Sequence, residues 1–266
     1  LPEQPARWRR AVRAVSGSDG STFDRADTFG NLGFAVGDLY VARYFPPEAK
    51  AMIDELVVNL KAAFRERIMS LGWMSTSTKA EALRKLDAYR VKVGYPEKSR
   101  DYSTISMRRT DLYGNVLRAA AADWYFRSSR LHKPVDRGEW LMTPQMNNAY
   151  NGPLTDIVFP AAILMPPIFD PNADPAVNYG AVGGVIGHEL IHGFDDQGRK
   201  FDSEGLIRNW WTDEDVRRFE EQSARLAAQY ATYAPLPSLH VNPQLTMGEN
   251  IADLGGIALA LDAYRL

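Results

Sequence analysis

The sequence predicts a mainly α-helical protein with a small β-sheet or hairpin, an α+β fold. Three observations predict it. Apolar residues recur at helical spacing in several long segments. One β-prone run, Asp156-Ile157-Val158-Phe159, follows the turn signal Asn151-Gly152-Pro153. A glycine-punctuated apolar stretch carries His188 and His192 one helical turn apart.

The elements follow in chain order. Residues 1–30 mix Arg, Ser, Gly and Asp, with one short helical patch around Trp8–Val15. Pro46-Pro47-Glu48 opens a helix, since proline and an acid suit a helix N-terminus. Met52, Ile53, Leu56, Val57, Leu60, Phe64 and Ile68 give it one apolar stripe, which reads as core. Thr78 and Glu81 form a capping-box pattern for a second helix through Leu83, Leu86 and Tyr89, which Gly94-Tyr95-Pro96 ends. A third helix spans Asp111 to about Arg130. Met146 to Tyr150 reads as extended. The run 156–159 then closes a hairpin, and its terminal Pro160 suits an edge strand. Tyr179 to about Phe194 forms the histidine helix. Its four glycines, poor helix formers, argue for close packing along that face. Thr212 caps a helix whose first turn is acidic, and residues 235–245 form a loop before a last helix carrying Glu249. The division expected is a mostly helical segment over 1–140 and a zinc-binding catalytic core over 141–266.

Composition narrows the function. Net charge is −2 with no Lys/Arg run, which argues against a nucleic-acid partner. Cysteine is absent, which excludes disulfides and thiol catalysis. The longest apolar run, Ile157–Phe169, is broken by Pro160, Pro166 and Pro167 and is too short to span a bilayer.

The chemistry sits in Val185-Ile186-Gly187-His188-Glu189-Leu190-Ile191-His192. Two imidazoles on one helix face can reach one zinc ion, with Glu189 beside it as general base. A catalytic zinc needs a third protein ligand and one open position. Glu249 supplies it, with Asp253 one turn further on the same face. Asp253 and Asp195 are the natural acceptors for the spare imidazole N–H groups. His132 and His240 lack such a setting and read as surface residues.

The order of motifs resembles the neprilysin family of zinc metallopeptidases, especially its bacterial members. The matching stretches include Tyr44-Phe45-Pro46-Pro47-Glu48, Gly72-Trp73-Met74-Ser75, Asn148-Ala149-Tyr150, Ile157-Val158-Phe159-Pro160-Ala161, His188 to Arg199, Asn209-Trp210-Trp211-Thr212 and Gly248 to Gly256. The resemblance implies a gluzincin, thermolysin-like catalytic architecture with additional helices. It implies zinc held by His188, His192 and Glu249, with Glu189 as base. It implies an edge strand where Asn148 and Ala149 bind the substrate main chain; counting back from Ile157 points instead to Asn147. Ile163, Ile168 and Val185 would line the pocket for the side chain after the scissile bond. The implied function is endopeptidase cleavage of peptides before bulky apolar residues, in a periplasmic, extracellular or cell-envelope setting. The family's oxyanion histidine and substrate arginine would lie beyond Leu266, in the remainder of the same polypeptide.

Two rivals stand beside this reading. Thermolysin-like enzymes place the third ligand closer, whereas Glu249 follows His192 by 57 positions. A zinc-bound scaffold with no turnover would have no use for Glu189. Residues 1–266 alone are expected to be a zinc-binding but catalytically incompetent fragment, because the implied oxyanion histidine and substrate arginine are not among them.

Overall fold

The structure, a computed structural model, describes residues 31–152 and 155–266. The patch at Trp8–Val15 and residue Pro153 lie outside them. The described residues form α1 (Gly33–Tyr44), α2 (Pro47–Ser70), α3 (Thr76–Ala88), β1 (Arg90–Gly94), α4 (Leu112–Ser128), β2 (Tyr150–Gly152), β3 (Asp156–Pro160), α5 (Pro175–Asn178), a π turn (Tyr179–Gly183), α6 (Gly184–His192), α7 (Asp213–Tyr230) and α8 (Pro243–Tyr264). This is the mainly helical α+β fold expected. No helix among the described residues is long and apolar enough to cross a membrane.

The backbone packs as two compact units that do not divide at residue 140. Of the described residues, one unit takes 31–46, 94–147 and 160–162, and the other takes 47–93, 148–159 and 163–266. Helices α2 and α3 thus belong with the histidine helix. The physical reason is the apolar stripe of α2: Ile53, Leu56, Val57, Leu60, Phe64 and Ile68 are buried, joined by Ala49 and Ala63. They pack toward α3, α6 and α8. Met52, expected in the stripe, faces out.

In the first unit, α1 was hidden from the sequence by Gly33 and Gly37, which lower helix propensity. Asp111 caps α4 by accepting the Gly114 N–H at 2.9 Å. Arg100 pairs with Asp123 of α4 at 2.7 Å.

In the second unit several boundaries differ from expectation. The cap of α3 is Ser75, not Thr78. Ser75 is held there by Asp215 of α7, which accepts from the Ser75 backbone N–H at 2.9 Å and from the hydroxyls of Thr78 and Thr212 at 2.7 Å each. The Ser75 hydroxyl donates to it as well. Thr78 is therefore spent on Asp215, inside the helix. Next, β1 occupies residues that the sequence reading assigned to the end of a helix. Third, the sheet order is β1-β3-β2. β3 is central and wholly buried, and the edges belong to β1 and β2. Pro160 is tolerated because it stands at the strand's last residue. The hairpin itself is present, with Tyr150 opposite Val158 and Gly152 opposite Asp156. The stretch before Tyr150 is not strand. α8 starts at Pro243, inside the expected loop, under the cap of Asn242.

Asp215 makes a testable prediction. Burial would push its carboxyl up, but the bonds from Ser75, Thr78 and Thr212 prevail and hold it at about 2. Asp215→Ala in the full-length protein is expected to cost roughly 3 kcal/mol, because several buried donors lose their acceptor. The depressed pKa means the contribution is complete above about pH 4 and is lost as pH falls toward 2. Urea midpoints of wild type and variant should therefore converge over that window, and equal midpoints at neutral pH would rule the role out.

Candidate metal centre

Two helices build the site by crossing closely. A side-chain carbon on Gly187 would lie 2.6 Å from the Gly256 carbonyl oxygen, and one on Gly256 would lie 2.5 Å from the His188 nitrogen. Only glycine at both positions lets α6 and α8 approach so far. Of the four glycines read as close-packing residues in the sequence, Gly187 and Gly184 do that here, whereas a side-chain carbon on Gly180 would meet nothing within 4 Å. The crossing lays the Glu249, Asp253 and Gly256 face of α8 against the His188 and His192 face of α6.

The three expected ligands converge. The Nε2 atoms of His188 and His192 are 2.9 Å apart. Glu249 places Oε2 3.3 Å from the first and Oε1 3.7 Å from the second. Each ring is oriented from behind. His188 Nδ1 lies 2.8 Å from Asp253 Oδ1, and His192 Nδ1 lies 2.8 Å from Asp195 Oδ2. A carboxylate accepts only, so each Nδ1 carries the hydrogen, and a ring in its neutral, metal-binding form turns an Nε2 lone pair inward. Two such lone pairs beside a carboxylate repel. A shared cation relieves that, and two imidazoles with one carboxylate are a zinc donor set. The residues therefore fit the metal that the motif implies.

Asp195 is buried, which works against its charge, but bonds from His192 and from the N–H groups of Gly198 and Gln197 hold its carboxyl below the usual range. The same bond raises the basicity of the His192 ring. A more basic imidazole is a better metal ligand. Glu189 is buried beside the ligands, and that burial pushes its carboxyl up while His192 and His188 oppose the shift. A carboxylate moved toward neutrality suits proton transfer.

A cleft of about 610 Å³ opens on these groups. His188, Glu189, His192 and Glu249 line it together with Asn148, Ala149 and the edge strand β2. Asn148 is exposed, and its side chain accepts the Ala149 N–H at 2.9 Å. Ile163, Ile168 and Val185 are not in the wall of this cleft. They are half-buried, and the Ile168 carbonyl accepts the Val182 N–H at 3.0 Å, beside the start of α6.

Three residues of the site were not singled out from the sequence. Asn151, read as part of a turn, donates its side-chain amide to the Glu189 carbonyl at 2.8 Å and so ties the edge strand to α6. Tyr89 lies within hydrogen-bond reach of Asn151, and burial pushes its phenol up to about 12. Lys85 is 2 % exposed and lines the same cleft. Its phase with Ala82, Leu86 and Tyr89 was the available signal, a charge on the apolar face of a helix. His240 is exposed, as expected.

Comparison with known proteins agrees with this geometry. Models of peptidase family M13 match residues 1–96 and 147–266. Human endothelin-converting enzyme 1 is 38% identical over 252 residues, covering 90% of this chain and 32% of that enzyme. The neutral endopeptidase of Lactobacillus helveticus is 37% identical over 270 residues, covering 99% of this chain and 39% of its own. Among solved structures, the inhibitor complex of the Mycobacterium tuberculosis zinc metalloprotease Zmp1 is 52% identical with a TM-score of 0.79, over 88% of this chain and 36% of that one. The chain thus spans about a third of the length of these relatives. Both family models flank or contain the motifs on which the resemblance rested, and the chain belongs to peptidase family M13, the neprilysin family.

Proposed function

We propose that the full-length protein is a zinc-dependent endopeptidase that cuts peptides on the amino side of bulky apolar residues. The observation that carries this reading is the convergence of His188, His192 and Glu249 beside a buried Glu189, in a cleft bordered by an edge strand. Zinc at that position would polarise a carbonyl and lower the pKa of water from about 15.7 toward roughly 7. Glu189 would take the water proton and return it to the leaving amine. Asn148 and Ala149, just before β2, would hold the substrate main chain by extending the sheet. Asp195 and Asp253 would keep the histidine rings turned inward. Ile163, Ile168 and Val185 remain our proposed walls for the apolar side chain. Their half-burial leaves apolar surface to offer, and Val185 stands one turn before His188. A periplasmic, extracellular or cell-envelope setting goes with this reading.

The test is a peptide mixture incubated with the zinc-loaded full-length protein, with products mapped by mass spectrometry. Cleavage before apolar residues, stopped by a chelator and restored by zinc, is expected. Zinc binding without cleavage of any peptide would favour a non-catalytic zinc protein. Cleavage before acidic residues would overturn the pocket assignment.

A further inference from the structure

Lys85 is a buried cation outside the ligand set, and the catalytic reading gives it no part. Its Nζ donates to three backbone carbonyls: Gly193 at 2.5 Å, Gly198 at 2.7 Å and Phe201 at 2.7 Å. An ammonium has three N–H groups, so its donors are used up. None is left for a substrate. Two aromatic faces complete its surroundings, with the Phe194 ring 5.3 Å and the Trp210 ring 5.8 Å from Nζ.

The three carbonyls bracket the turn that leaves α6. That turn carries Asp195. Asp195 Oδ1 accepts the Gln197 and Gly198 N–H groups at 2.9 and 2.7 Å, while Oδ2 faces His192 Nδ1. The turn folds back so tightly that a side-chain carbon on Gly198 would lie 1.8 Å from the His192 carbonyl oxygen. Asp195 gathers the turn's N–H groups and Lys85 gathers its carbonyls. A cation also suits the C-terminal end of a helix, where carbonyls lack partners. Without Lys85 the buried Gly193 carbonyl loses its donor. The Gly198 and Phe201 carbonyls keep the Phe201 N–H and the Trp210 Nε1–H at 3.0 Å each, but the one point that ties all three together is gone, and the turn loosens. Asp195 moves with it.

We propose that Lys85 is a positioning residue of the metal site, stapling the turn after α6 so that Asp195 meets His192 in the orientation that binds zinc. The proposal rests on the metal-site reading above. A merely structural lysine would lower stability without acting through Asp195, and a double-mutant cycle separates the two.

The experiment measures the zinc Kd of the full-length protein by chelator competition, for wild type, Lys85→Met, Asp195→Ala and the double variant. Lys85→Met is expected to weaken zinc binding about 10-fold, in the range that loss of support behind a ligand costs. The double variant is expected to bind no more weakly than Asp195→Ala alone. A Kd within twofold of wild type, or losses that multiply, would overturn the proposal. If Lys85→Met does not fold, Lys85→Gln, which keeps N–H donors for part of the turn, is read by the same criteria. Wild type that binds no zinc would instead defeat the metal-site reading itself.

Discussion

Glu189→Gln in the full-length protein is expected to reduce peptide hydrolysis by about 10²–10⁴-fold or more while leaving zinc stoichiometry unchanged. Glutamine keeps the size of the side chain and its ability to accept a hydrogen bond, but it cannot take up a proton. The side chain is buried against the ligands yet is not one of them. Its backbone carbonyl, which receives the Asn151 amide, is untouched by the substitution. The edge strand should therefore stay where it is, and KM should change less than kcat. Turnover and zinc content must be measured on one preparation. Near-normal kcat with full zinc would remove Glu189 from the mechanism. Loss of zinc with loss of kcat would make it a supporter of the metal site instead.

The parts of this site that were legible in the sequence share one property: helical period. His188 and His192 are four apart, as are Glu249 and Asp253, and period alone puts each pair on one face. That the two faces meet depends on Gly187 and Gly256, at positions where a side chain would collide with backbone. Gly187 announced close packing without naming the partner. Residues whose roles depend on distant chain were not legible. Ser75 caps α3 because Asp215, 140 residues later, holds it. β3 is central because β1 pairs on its far side, and nothing local to residues 156–160 reports that. Lys85 shows the opposite case. Its phase on α3 was visible, yet burial of a lysine is unreadable until the carbonyls that receive it are in place.

Glu249→Ala and Asp253→Ala are expected to part company, although the two carboxylates share α8, lie one turn apart and are similarly exposed at 67% and 71% of their side chains. Geometry alone separates them. Glu249 reaches the inward Nε2 atoms of both histidines, whereas Asp253 reaches only the outward Nδ1 of His188. Asp253→Ala leaves all three ligands and frees one ring to turn, so the zinc Kd should rise about 10–100-fold. Glu249→Ala leaves two protein ligands where a catalytic zinc uses three, and its loss should exceed that of Asp253→Ala. Chelators of graded affinity can rank both variants against wild type. Neither change removes buried apolar surface, so the melting temperature of the metal-free protein should hold for both. A shared fall in that temperature would mean that α8 had loosened and that neither Kd reports on a ligand. Equal Kd values at unchanged stability would strip Glu249 of its role as third ligand and leave the metal held by the histidine pair.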